Sequence, residues 1–216
     1  MSGLQNAELE SRLTMAQCEI TPANILAKLA SDLEAQIRQA VASNPNTSIE
    51  VLSELGQEFP EEVTENPIFS MLLLENPESH FVRLSLARST TTDEKTLAQL
   101  ALVEDEEILY AVARNPKTPI SILEGFVRNP PLLYNNDYAN KSNCYNLFEA
   151  IASSAKTPSS LLLKLSESLP SSTSIDLGDK LAKNPNTPSE ALEKLYSRID
   201  RAVPIAVLRF PDRSSE

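Results

Sequence analysis

The chain has no tryptophan, one histidine, two cysteines and only four glycines among its 216 residues. Each shortage excludes something. Four glycines could scarcely build a phosphate-cradling loop, and no Gly-rich motif leads into a helix pattern. Cys18 and Cys144 stand far apart in sequence, and no Cys/His cluster has metal spacing. The lone His80 follows Asn76-Pro77 without a spaced Ser or Cys motif, so it reads as a surface residue rather than half of a catalytic dyad. Catalytic carboxylates can converge in space and leave no spacing signature, but the adjacent Glu61 and Glu62 read as solvated charge. Neither an enzyme nor a cofactor is expected.

Two further shortages set the class. Aromatic residues are 5% of the chain, so Leu, Ala, Ile and Val must fill the core. No run approaches the ~20 apolar residues that span a bilayer, and the compact apolar stretch Met71 to Leu74 is far too short. Two cysteines and no apolar N-terminal stretch point to a reducing cytoplasm. Lys and Arg are missing altogether from Gln39 to Phe81, a stretch that holds Glu50, Glu54, Glu58, Glu61, Glu62, Glu65, Glu75 and Glu78. With a net charge of −11, the chain should repel phosphate backbones and anionic membranes.

What is present is a repeat. TPANILAKLA, from Thr21, returns as TSIEVLSELG from Thr47, TDEKTLAQLA from Thr92, TPISILEGFV from Thr118, TPSSLLLKLS from Thr157 and TPSEALEKLY from Thr187. Thr suits a helix N-cap, and Pro22, Pro119, Pro158 and Pro188 suit the first helical position. Glu50 and Glu190 are spaced to close capping boxes with Thr47 and Thr187. Ile25, Leu26 and Leu29 fall on one helical stripe, as do Val51, Leu52 and Leu55, then Ile122, Leu123 and Phe126, then Leu161, Leu162 and Leu165. A second pattern follows each stripe, as in IRQAVASNPN and ILYAVARNPK. It predicts a short α- or 3₁₀-segment ended by the Asn-Pro pair. Self-similarity at this period predicts stacked helical units, the architecture of binding arrays rather than of one-pocket globules.

The T-P-x-x-x-L-x-x-L start followed by a V-A-x-N-P-N run resembles the leucine-rich repeat variant family. The resemblance covers roughly residues 11 to 212, with ends at Asn44-Pro45, Asn115-Pro116 and Asn184-Pro185 in register. It implies an all-α fold: a right-handed superhelical solenoid of alternating long α-helices and short α- or 3₁₀-helices, without sheet. A member of that family carries an N-terminal four-cysteine iron–sulfur module. This chain lacks those cysteines, so no cluster is expected, and Cys18, aligned with the Asn of the Asn-Pro turn, reads as structural.

The expected organisation is a partial cap or half repeat over 1–20, a repeat array over 21–212 and a short tail over 213–216. Two irregularities interrupt the array. FPEEVTENPIFSMLLLENPE, residues 59–78, reads as an extra shortened unit without a Thr-Pro start, and it coincides with the acidic stretch. It suggests a curved acidic groove for a basic protein partner, with Glu58, Glu61, Glu62 and Glu65 as contacts; the alternative is a solvated acidic face. The insertion at 127–146 carries Tyr134, Tyr138 and Tyr145 among asparagines, a composition suited to protein recognition or to a loop whose tyrosines pack down. The apolar residues Leu195, Val203, Val207 and Phe210 lack an obvious polar cap, so self-association through that end stands beside a folded-back tail. The leading functional reading is a non-enzymatic scaffold or adaptor that binds proteins. The alternative is a nucleic-acid-binding repeat protein, which would need a basic stripe from Arg38, Arg83, Arg88, Arg114, Lys183 and Arg209; the net charge argues against it.

Overall fold

The computed structural model describes the backbone of residues 2–129, 142–168 and 175–199, and side chains over 8–129, 146–167 and 177–195. Its described residues are helices and turns, with no strand. They fall into two compact units, Met1–Pro119 and Ile120–Glu216.

The first unit holds α1 (Ser2–Gln17), α2 (Ala23–Leu29), α3 (Ala35–Ser43), α4 (Ile49–Leu55), α5 (Pro60–Glu65), α6 (Pro67–Glu75), α7 (His80–Arg88), α8 (Glu94–Leu100) and α9 (Glu106–Arg114). Helices α1, α3, α5, α7 and α9 pack each against the next, while α2, α4, α6 and α8 pack against their sequence neighbours. The second unit holds α10 (Ile120–Arg128), α11 (Ser142–Ser153), α12 (Ser159–Ser168), α13 (Ile175–Lys183) and α14 (Ser189–Ile199). There α10, α12 and α14 pack in succession, and α11 packs on α13.

The apolar stripes lie where the spacing places them. Leu26, Leu29, Leu52, Leu55, Leu123, Phe126, Leu161, Leu162 and Leu165 are buried. The second segments are α-helical, one of the two forms expected, and α3, α7 and α9 are not the shorter partners, although α5 and α13 are shorter than their sequence neighbours. In the first unit α3, α7 and α9 have 9 residues each, against 7 in α2, α4 and α8. Small residues explain this. Ala42, Ala87, Ala111 and Ala113 are buried, as are Val41, Val82 and Val112, and side chains this small permit neighbouring helices to pack closely.

The recurrent threonines do not cap helices. Thr21, Thr47, Thr92, Thr118, Thr157 and Thr187 are buried, and each hydroxyl donates back six residues, to the carbonyls of Met15, Val41, Leu86, Val112, Ile151 and Leu181, at 2.5–2.7 Å. Helices α2, α4 and α8 start one residue later, with Pro22, Ser48 and Asp93 as N-caps. The expected capping boxes are therefore absent. Glu50 is held below the ordinary glutamate range by its own backbone amide and the Ser48 hydroxyl, and Glu190 pairs with Lys194 at 2.9 Å. A buried last-turn carbonyl needs a donor, and a hydroxyl turned inward supplies it.

The Asn-Pro asparagines form a second internal ladder. The Asn44 amide nitrogen donates to the carbonyls of Ala16 (2.7 Å) and Cys18 (3.0 Å). Asn66 donates to Ala42 and Asn44 at 2.8 and 3.0 Å, Asn115 to Ala87 and Ser89 at 2.8 and 2.9 Å. In the second unit Asn184 donates to Ala152 and Ser154 at 2.7 and 2.9 Å. Each side-chain oxygen in turn accepts the amide two residues on, as from Asn46, Ile68, Lys117 and Asn186. One residue thus closes its own turn and ties it to the turn of the preceding unit. Proline keeps the asparagine extended, as at Asn44 with φ −76° and ψ 128°. Cys18 fills the first such position. Its role is structural through the backbone carbonyl; the thiol side chain is exposed. Asn76-Pro77 is not a rung: Asn76 is exposed.

Serine stands at two rung positions among the described residues, Ser89 and Ser154, each of whose carbonyls accepts the next asparagine. Ser89 stands at the ladder position of α7 with φ −69° and ψ 129°, close to Asn66 at −62° and 135°. Its short side chain reaches only the Thr64 hydroxyl (3.2 Å) and Thr91. Ser89→Asn should place an amide in register with the carbonyls of Thr64 and Asn66. The expected gain is about 1 kcal/mol in urea unfolding; a loss of stability would show that the rung spacing differs here.

Candidate functional site

The four proposed acidic contacts divide on inspection. Glu58 takes a forked bond from Arg38, whose Nε donates to Oε2 at 2.9 Å while Nη2 donates to Oε1. The Arg38 bond holds the Glu58 carboxyl below its usual range, and the guanidinium lies 5.9 Å over the Phe59 ring. Glu61 accepts the Thr90 amide at 3.0 Å and the Thr90 hydroxyl at 2.7 Å. Burial alone would raise its pKa, but those bonds hold it below the ordinary value. Glu62 accepts from the Gln39 amide. These three carboxylates link α3, α5 and the turn after α7. The Glu61–Thr90 bonds lie beside Ser89, where the asparagine rung is absent, and supply a substitute link.

Glu65 differs. It is exposed, and it stands on the rim of a cleft of about 590 Å³ between α5, α6, α7 and α8. The cleft is floored by Phe69, Leu73, Leu86, Leu100 and Val103. Phe69 is locked edge-on against Phe81 at 6.1 Å. Asp93, also exposed, lines the same cleft. It caps α8 by accepting the Thr96 amide at 3.0 Å, and the Thr96 amide and hydroxyl bonds hold its pKa down. Glu78 and Arg83, also on the rim, pair with each other.

The cleft lies at the irregular unit. Helix α6 begins directly at Asn66-Pro67, with Asn66 serving as ladder rung and as N-cap (its side chain accepts the Ile68 amide). No threonine or linking turn intervenes. The chain therefore enters α6 at once, and its apolar residues remain open: Met71 is 60% and Leu74 86% exposed, and Leu73 lines the cleft. Sequence spacing placed the acidic rim here but could not supply the floor, because Leu100 and Val103 come from another repeat.

Tyr134 and Tyr138 lie outside the described residues, as do Val203, Val207, Phe210 and Arg209. Tyr145 lies on α11, with its side chain outside the described set. His80 is exposed, beside a second cavity of about 190 Å³. Its Nε2 is 3.4 Å from Asp105 and 3.6 Å from Glu107. Sequence alone did not signal this cluster, since the carboxylates belong to the next unit.

The described members of the basic row have partners within the chain. Arg38 pairs with Glu58, Arg83 with Glu78, Arg88 with Glu107 (2.7 Å) and Lys183 with Asp179 (2.7 Å). Arg114 stacks on Tyr110 and donates to its hydroxyl at 2.8 Å. Among the described residues no helix is long and apolar enough to cross a membrane, and no group of three His, Cys, Asp or Glu side chains is placed to hold a metal ion.

No protein-family model, no curated protein and no solved structure matches this chain.

Proposed function

We propose that the chain is a non-enzymatic protein-binding scaffold, a helical-repeat solenoid of the leucine-rich repeat variant kind acting in the cytoplasm. The observation that carries this reading is the division of labour among its side chains. The repeated Thr and Asn are consumed by internal bonds, while the irregular unit leaves Met71, Leu74 and Glu65 open to solvent. A fixed interior with an open apolar and acidic face is what a docking module requires. The partners of Arg38, Arg83, Arg88, Arg114 and Lys183 within the chain weigh against the nucleic-acid alternative.

Reversing all four glutamates would confound binding with folding, because Glu58, Glu61 and Glu62 hold helices together. The sharper test is Met71→Lys with Leu74→Lys, two exposed positions. Chemical crosslinking of the expressed chain in its native cells, read by mass spectrometry, should yield protein partners that the double variant loses. Nucleic acid as the retained species, or no change in the protein set, counts against the scaffold reading.

A further inference from the structure

Within that scaffold reading, we propose that the cleft between α5, α6, α7 and α8 is a peptide-docking groove. Its occupant is a short segment of a partner protein that inserts an apolar side chain between flanking Lys or Arg residues.

Three observations select this occupant. The first is the floor. Phe69, Leu73, Leu86, Leu100 and Val103 come from α6, α7, α8 and the turn after α8, and the cleft volume of about 590 Å³ accommodates an inserted side chain with its backbone. The second is the rim. Glu65 and Asp93 both line the cleft as carboxylates, and the one lining cation, Arg83, is held by Glu78. Net negative charge around a partly water-excluding floor favours a cationic ligand and disfavours an acidic one. The third is the rigidity of the walls. Asn66 fixes the start of α6, Asp93 fixes the start of α8, and the Phe69–Phe81 contact fixes the floor. A preformed groove lowers the ordering cost of binding a segment that is itself flexible.

The carboxylates alone would be a solvated face, and the leucines alone would be an apolar gap. Their conjunction sets the specificity. An apolar anchor without cations gains the floor but leaves the rim unmatched. A cationic segment without an anchor binds weakly and loses affinity in salt.

The test uses the full chain and a phage-displayed library of random dodecapeptides. Selection on the unmodified chain is paired with depletion on Glu65→Lys/Leu73→Gln. Enriched peptides should carry Leu, Ile, Met or Phe beside Lys or Arg. A fluorescein-labelled enriched peptide should lose about tenfold or more in affinity on the double variant, as expected for a reversed rim charge and a lost apolar contact. Affinity should also fall from low to high salt. Circular dichroism checks the variant; if it unfolds, Gln99→Lys, an exposed lining residue, replaces it in the same assay. Acidic or featureless enrichment, or equal affinity for the variant, overturns the groove. Crosslinked partners retained by Glu65→Lys/Leu73→Gln, with no groove-dependent peptide, would leave the scaffold reading standing and remove this inference alone. A groove-dependent peptide from a chain that captures no protein in its native cells would do the reverse.

Discussion

Asn115→Asp should destabilise the first unit by on the order of 4 kcal/mol at neutral pH, although it changes one NH₂ to O. Asn115 is buried, and its amide nitrogen sits 2.8 Å from the Ala87 carbonyl and 2.9 Å from the Ser89 carbonyl. A carboxylate would place a charged acceptor against two acceptors. It could keep the bond from the Lys117 amide, since that bond uses the retained oxygen. Protonation relieves the conflict, because a neutral carboxyl can donate to one of the two carbonyls. The folded-state pKa is therefore raised above the unfolded value of about 3.9. The sign follows: the charge penalty is absent below about pH 4 and grows as pH rises through that value towards the folded pKa. Asn115→Ala is the control. It leaves two buried carbonyls without this donor, costs about 2 kcal/mol and adds no pH dependence at that site. Urea unfolding of both variants at two pH values separates the terms. Equal, pH-independent losses would mean that the side chain is not oriented as a double donor.

The same ladder shows how much was legible in the sequence. The all-helical class and the buried stripes of Leu26, Leu52, Leu123 and Leu162 follow from spacing, because burial in a two-turn helix is dictated by which side its leucines share. The roles of the polar signature residues did not follow. Thr at a helix start reads as a cap by local rules, yet here the hydroxyl serves the preceding helix. Local propensity cannot reveal that, since the deciding partner is a carbonyl buried by tertiary packing. Of the two forms expected for the second segments, the α form is the one found, and the expected shortness fails at α3, α7 and α9 for a related reason: Ala42, Ala87 and Ala113 make close packing possible, and packing supports helices longer than a short isolated segment would keep. The stretch without Lys or Arg and the broken period, both legible in the sequence, contain Glu65, Phe69 and Leu73 of the proposed groove. The division of the carboxylates there was not legible. Glu61 and Glu65 look alike on paper, but one fills in for the rung missing at Ser89 while the other stands at an open rim.

Leu52→Ala should cost about 3 kcal/mol, within the 2–5 kcal/mol typical of a buried leucine truncation. Leu52 is fully buried in the cluster that includes Leu26, Ile37, Val41, Leu55 and Val63. Helix α4 has only 7 residues, too few to persist on propensity, so Leu52 and Leu55 hold it in place. The distribution of the loss carries as much information as its size. Helix α4 packs on α3 and α5, and each member of the α1–α3–α5–α7–α9 series packs on its neighbours in the series. Where contacts run only between neighbours, a lesion spreads as far as the coupling between them. Amide exchange should accordingly quicken first in α4, then in α3 and α5, and least in α8 and α9. Glu54→Ala, an exposed change on the same helix, should stay within about 0.5 kcal/mol. A uniform loss of protection from α1 to α9 would instead show that the Thr and Asn ladders weld the first unit into one cooperative body. The cleft walls at α5 and α6 lie between these limits, so the exchange pattern in Leu52→Ala also measures how firmly the interior fixes the proposed groove.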